Sequence, residues 1–430
     1  MRHALFTAVR PHGAEVRDLL VSDGRIAAVN PSALPEGCVT VEGGGDLALP
    51  APVDAHIHPD KTTWGQPWLS RAPAGTLRDL IDGEVAARST FRASAEERAG
   101  ALMDRAVTRG TRAMRAHVDV APVYGQANVH GVGAAAAKRS HLLDVQVVAF
   151  PQLGLLTAPG TAELLEQALA EGADVLGGLD PVGVDGDMDG QLDFLFGVAE
   201  RTGAPIDIHL HDGGPSGLAQ VTEIARRTVA AGMRGRVTIS HVFCLAELEG
   251  AELAEMGERL AEAGVALTTC ALGADPVVPF GPLTAKGVLV AAGSDGVRDP
   301  WTPFGDGDMI NRAHLLAYRT DARTDAELAA CYELVAHGGA ALLGLDRVGL
   351  EVGDPADFVL LPAESVVQAV VDRPVPRLVV HDGRVVARDG RLTDPADPAD
   401  RTAAADRTDP AERGQSVQAA TGRPVERASR

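Results

Sequence analysis

Two histidine pairs carry the most pointed chemistry in this sequence. His56-Ile57-His58 ends the apolar stretch that begins at Leu47, and His209-Leu210-His211 follows the apolar run from Ala204. Alternate residues of a strand share a face, so both imidazoles of a pair would project together past a strand end and could hold one metal ion. One such pair among 13 histidines is weak, because a buried histidine is as often structural as catalytic. Two pairs at separate strand ends, with polar ends between them, form a stronger signal.

Those polar ends belong to eight β-like runs, at residues 47–55, 112–116, 145–150, 175–178, 206–208, 237–239, 265–269 and 288–292. The residues at or just past them are His56 with His58, His117 with Asp119, Gln152, Asp180, His209 with His211 and Asp212, His241, Cys270, and Asp295. A single aspartate at such a position has an ordinary explanation as a helix cap or turn former. Histidine has no such preference, so the set predicts a metal site on one rim.

The expected ligands are His56, His58, His209 and Asp295. Three or four nitrogen and oxygen ligands with an open position suit a hydrolytic centre holding one divalent ion, zinc or iron(II). Such an ion makes hydroxide available near neutral pH. Asp295 could accept the proton of that water as well as touch the metal, with His241 one strand away to polarise or protonate the attacked group. A two-metal centre needs a bridging carboxylated lysine, and the fourth strand ends Gly177-Gly178-Leu179-Asp180-Pro181. Lys61 is the only lysine near any strand end, so a single ion is expected.

Helical segments at residues 94–108, 161–170, 216–231 and 245–262 separate several of the runs. Eight βα units within residues 51–345 match a (β/α)8 TIM barrel, whose active site lies on the rim where the strands end. Residues 1–50 and 346–393 carry short β-like runs between Gly, Pro and Asp signals, which predicts one small β-sandwich domain formed from both termini. Residues 394–430 are polar and Pro-rich and read as a disordered tail.

The remaining composition narrows the function. The net charge of −20 argues against nucleic-acid binding. Residues 1–10 lack a secretory apolar core and no run of eighteen apolar residues occurs, so membrane spanning is not expected and a cytoplasmic setting is. The four cysteines lack C-x-x-C spacing, which suggests neither a disulfide framework nor a thiolate zinc site. The expected partner is a small molecule, and self-association into a homo-oligomer is left open.

The run Val53-Asp54-Ala55-His56-Ile57-His58, then His209, His241 and Ser294-Asp295, resembles the amidohydrolase superfamily of metal-dependent barrel hydrolases. Arg115-Ala116-His117-Val118-Asp119-Val120, Val147-Val148-Ala149-Phe150-Pro151-Gln152 and Arg298-Asp299-Pro300-Trp301 resemble its cytosine deaminase branch. The resemblance covers roughly residues 45–390 and implies hydrolysis of a C–N bond at an amidine-like carbon of a nitrogen heterocycle, releasing ammonia or an amine. It also implies a metal-ligand role for His56, His58, His209 and Asp295, a catalytic role for His241, and substrate contact for Gln152, Asp180 and Trp301.

Two departures are informative. Cytosine deaminases place a glutamate that shuttles protons where this chain has Asp212, whose shorter carboxylate is expected to serve the same catalytic part, and a second aspartate where Gly296 follows Asp295. The stretches 177–181, 207–212 and 303–309 are closer to a triazine-processing subgroup, in which His211 would take over part of the proton traffic. Lys61 is expected either to meet a substrate oxygen or to pair with Asp60 or Asp54, and His117 and Asp119 to steady the ligands from behind. Two competing readings are a noncatalytic barrel that binds a ligand or partner, and a cyclic-amide hydrolase of the dihydropyrimidinase type, which usually carries the bridging lysine missing here.

Overall fold

In the computed structural model, residues 3–346 and 349–394 are described. Eight parallel strands follow one another in sequence order: β1 (Val53–Ile57), β2 (Ala113–Asp119), β3 (Asp144–Phe150), β4 (Val175–Leu179), β5 (Ile206–Leu210), β6 (Val237–His241), β7 (Val265–Thr269) and β8 (Val290–Ala292). A parallel bridge between Ile57 and Asp295 brings the end of the series back to its start. Helices between the strands cover the outside, which gives the β/α barrel expected from the alternating pattern. The strands read as near-continuous apolar runs because both of their faces are buried.

The covering helices start where their sequences supply caps. Ser94 accepts the amide of Glu97 and the Glu97 carboxylate returns to the Ser94 amide, opening α2 (Ala95–Thr108). Its Ala99, Leu102, Met103 and Ala106 then form a buried stripe at helical spacing. The helix expected at 245–262 is two pieces, a 3-10 turn at Phe243–Glu247 and a helix at Gly250–Ala263. Gly250, at φ 52°, takes a left-handed conformation that interrupts the run.

Strands from both ends of the chain form a separate nine-stranded sheet, in which eight strands follow one path and Val39–Glu42 branches from it by pairing parallel to His3–Pro11. Leu47–Pro50 lies antiparallel to Phe358–Leu361, and Phe6 packs edge-on against Phe358 with ring centroids 5.0 Å apart. The run 47–55 therefore proves to be two strands rather than one. Proline cannot donate to a ladder, and with Pro50 and Pro52 flanking it the chain changes sheets here. Ala51 donates to the Asp357 carbonyl of the terminal sheet, whereas the Pro52 carbonyl accepts from Arg112 beside the barrel.

A buried ion pair between Arg112 and Asp357 fastens the two sheets together, with His381 Nδ1 3.1 Å from the other oxygen of Asp357. The barrel and the terminal sheet thus lie within residues 3–393, while the tail expected at 394–430 lies, apart from Asp394, outside the described residues.

Candidate active site

The polar strand ends converge at one rim of the barrel. Asp295, just past β8, donates its amide to the His56 carbonyl at 2.7 Å and accepts the His58 amide at 3.4 Å. This seam leaves no room at Gly293, where a Cβ would lie 2.5 Å from the His56 nitrogen. Only glycine lets the two backbones approach so closely. Asp180, His241 and Asp295 all have positive φ, at 35°, 69° and 58°, a conformation that L-residues adopt reluctantly and that clusters at functional sites.

The side chains expected as ligands meet. His58 Nε2 lies 3.3 Å from His209 Nε2 and 3.3 Å from Asp295 Oδ1, and His56 Nε2 lies 3.7 Å from the same oxygen. His56, His58 and His209 offer nitrogens within 4.8 Å of one another, as do His56, His241 and Asp295. The Nε2 atoms of His56 and His241 are buried without a hydrogen-bond partner among the described residues. Bare imidazole nitrogens aimed at one point beside a carboxylate fit a divalent cation.

The protonation states agree with that fit. Burial, reinforced by neighbouring histidines, pushes His56 and His209 well below the ordinary imidazole value. Burial and the adjoining His211 bring His241 down to about 3. Burial opposes the charge on Asp295, but its hydrogen bond with His58 and the nearby imidazoles outweigh it and hold the carboxyl well below the usual range. Neutral imidazole and ionised carboxylate are the forms that bind metal.

Support comes from the layer beneath. His56 Nδ1 lies 3.1 Å from Ser240 Oγ, Ser240 donates to Asp207 at 2.7 Å, and Arg115 donates to Asp207 at 2.8 Å. This chain leaves His56 Nε2 to face the site. His117 stacks on His56 with centroids 3.9 Å apart, so it steadies the ring from behind. Two other groups, His56–His117–Asp207 and His58–Asp60–Asp119, are equally close. Their carboxylates are engaged already, Asp207 by Arg115, and Asp60 and Asp119 by Arg88.

A cavity of about 880 Å³ opens over the cluster. His58, His209, His211, His241 and Asp295 line its floor, and Lys61, Gln152 and Trp301 one wall. His211 donates its backbone amide to Asp180 Oδ1 at 2.6 Å, and its Nδ1 lies 2.7 Å from Asp180 Oδ2. Burial alone would lower the His211 pKa, but Asp180 overrides it and raises the value. Asp180 is thus buried behind His211, where the sequence placed it against the substrate. Asp212 is absent from the cavity lining, since its Oδ2 accepts from the Gly183 amide at 2.9 Å and from Gln220 Nε2 at 2.8 Å. Its expected part in proton transfer is not supported by this geometry.

A profile described as Amidohydrolase family matches residues 70–387. The chain belongs to the amidohydrolase family. Enzymes of this superfamily depend on metal, and the His/Asp cluster gives this amidohydrolase a metal-binding constellation. It is 31% identical over 363 residues to the N-isopropylammelide isopropyl amidohydrolase of Pseudomonas sp. (strain ADP), covering 81% of this chain and 88% of that one. The solved N-isopropylammelide isopropylaminohydrolase from Burkholderia multivorans ATCC 17616 superposes with a TM-score of 0.88 at 44% identity, covering 91% of this chain and all of that one. The 5-methylcytosine deaminase from Klebsiella pneumoniae, liganded with 5-fluorocytosine, gives 0.78 at 26% identity, with 91% and 98% covered.

Sequence reasoning missed two helices that line this amidohydrolase's cavity, Met309–Arg319 and helix α1 (Leu77–Arg88). Leu77 and Leu80 line the cavity, and Glu84 reaches Lys61 and Trp301. The available signal was Thr76 three residues ahead of Asp79, a capping pair that does open the helix.

Proposed function

We propose that this amidohydrolase cleaves the exocyclic C–N bond of an oxo-substituted nitrogen heterocycle, a triazine or pyrimidine carrying an amino or small alkylamino group. The observation that carries the proposal is the Asp180–His211 pair set beside the His/Asp cluster on the floor of one cavity. His56, His58, His209 and Asp295 would hold one divalent ion, with zinc and iron(II) both suited to those donors. When bound, such an ion supplies Lewis acidity and a water acidic enough to be deprotonated near neutral pH.

The chain's own groups supply the rest. The Asp295 carboxylate accepts a proton on the floor of the cavity. His211, with Nδ1 held by Asp180, keeps Nε2 for the cavity and donates a proton to the departing nitrogen. That transfer matters because an amine leaves far more readily than an amide anion. His241 stacks on His211 with centroids 4.5 Å apart, and its neutral ring hydrogen-bonds the ring atom next to the attacked carbon.

Gln152 presents a polar group to the ring beside Lys61, whose ammonium pairs with Glu84 at 3.1 Å and Asp119 at 3.4 Å rather than with Asp60 or Asp54, and Leu77, Leu80, Phe304 and Leu315 add apolar lining to the cavity. That division suits a polar ring bearing a small alkyl substituent, the substrate type named for the Pseudomonas and Burkholderia relatives. No helix among the described residues is long and apolar enough to cross a membrane, and we place the enzyme in the cytoplasm.

The test is a panel of alkylaminotriazines, aminopyrimidines and pterins incubated with protein loaded with zinc or iron(II). Release of isopropylamine or ammonia is expected from at least one oxo-substituted ring. Failure of every compound with either metal would overturn the proposal.

A further inference from the structure

Glu84 is an unusual member of α1. The helix buries only Ile81 and Glu84, and Glu84, 1% exposed, turns its carboxylate toward Lys61 and Trp301. Its Oε2 accepts from Lys61 Nζ at 3.1 Å and from Trp301 Nε1 at 2.6 Å, while Oε1 takes Arg88 Nη2 at 2.8 Å. One oxygen atom therefore holds two residues of the cavity wall.

Lys61 passes the constraint on. Its ammonium donates to Gln152 Oε1 at 2.5 Å and lies 5.3 Å from the centre of the Trp301 ring. An ammonium has donors only, so the atom of Gln152 that it meets must be the carbonyl oxygen. The amide nitrogen of Gln152 is then the group left to a ligand. We infer that Glu84 is a positioning residue which, through Lys61, fixes Gln152 as a hydrogen-bond donor, so that the cavity selects a ring carbonyl over a ring amino group at that edge.

The inference rests on the reading that the heterocycle binds in this cavity. The alternative is that Glu84 only pins α1 to the barrel. Arg88 already does that, through Asp60 and Asp119. Without Glu84, Lys61 keeps Asp119 at 3.4 Å as its remaining carboxylate partner and is drawn away from Gln152, whose amide is then free to turn over.

The test uses E84Q, which keeps the shape of the side chain and removes its charge. The substrates are N-isopropylammelide and N-isopropylammeline, which differ by one ring oxo group replaced by amino. Wild type should prefer the oxo compound. In E84Q, kcat/KM for that compound should fall by roughly 10- to 100-fold, mainly through KM, and the preference should shrink. The double variant K61Q/E84Q should be no worse than K61Q, since both act through one contact. A pinning role would instead lower the melting temperature and leave the preference unchanged, which overturns the inference. If wild type turns over neither compound, the functional reading fails separately, and a crystal structure of E84Q decides this point. Lys61 still bonded to Gln152 there would overturn the role of Glu84, and a displaced Lys61 would uphold it.

Discussion

Asp295 and His56 are joined twice, by a 2.7 Å bond from the Asp295 amide to the His56 carbonyl and by the approach of Oδ1 to within 3.7 Å of His56 Nε2. The residue that closes the barrel is also the acid facing its imidazoles. The placement of both side chains is thereby tied to main-chain pairing.

This double role makes Asp295→Asn a clean probe. The backbone seam survives while the charge is lost. Turnover should fall by roughly 10³-fold or more and bound metal should drop below one per chain, with an unchanged far-ultraviolet spectrum. A variant retaining metal and wild-type kcat would remove Asp295 from the site.

Asp180→Asn tests the acid pair. The amide retains the shape and the contact with the His211 backbone but no longer favours the charged imidazole. We expect kcat to fall roughly 10²- to 10⁴-fold with metal content intact, because proton donation rather than binding is affected. Equal losses on a substrate whose leaving group needs no protonation would show that the pair serves another purpose.

Ser240→Ala removes the partner of His56 Nδ1 and leaves the ring free to rotate. Metal affinity should weaken by roughly 10- to 100-fold, measured by competition with a chelator. Unchanged affinity would mean that stacking by His117 alone orients the ring.

The junction of the two sheets predicts a pH dependence of stability. Burial disfavours protonated His381, but Asp357 outweighs burial and raises its pKa above the usual 6.5. The contribution of His381 is therefore complete below 6.5 and is lost as pH rises through the higher folded value. Asp357 runs the other way. Burial would raise its carboxyl, but His381 and Arg112 hold it below 3.8, so its contribution is present above 3.8 and is lost as pH falls through the lower folded value. Urea midpoints should decline as pH rises above 6.5 in wild type and stay flatter in His381→Asn. Parallel curves for the two proteins would contradict this assignment.

The barrel was legible because its parallel strands carry mostly apolar runs that end in polar residues. His56, His58, His209 and Asp295 stood out on that contrast. Period-two alternation put His211 on the face of His209, and both line the cavity while Asp212 does not, although β5 itself ends at Leu210. Asp180 was named from its strand end, but its pairing with His211 was not legible, since a left-handed backbone turns the carboxylate under that ring. Helix α1 buries only Ile81 and Glu84, which leaves no apolar stripe to read. Glu84 became visible only once its partners, distant in sequence, were brought together by folding.

The pairing of Leu47–Pro50 with Phe358–Leu361 spans most of the chain. During synthesis the ribosome must deliver residue 361 before the earlier strand gains that neighbour, so a nascent chain carries an uncapped, apolar edge while the whole barrel is made. A stop codon placed shortly before Phe358 would leave every residue of the rim in the product and yet release a protein prone to stick to its own copies.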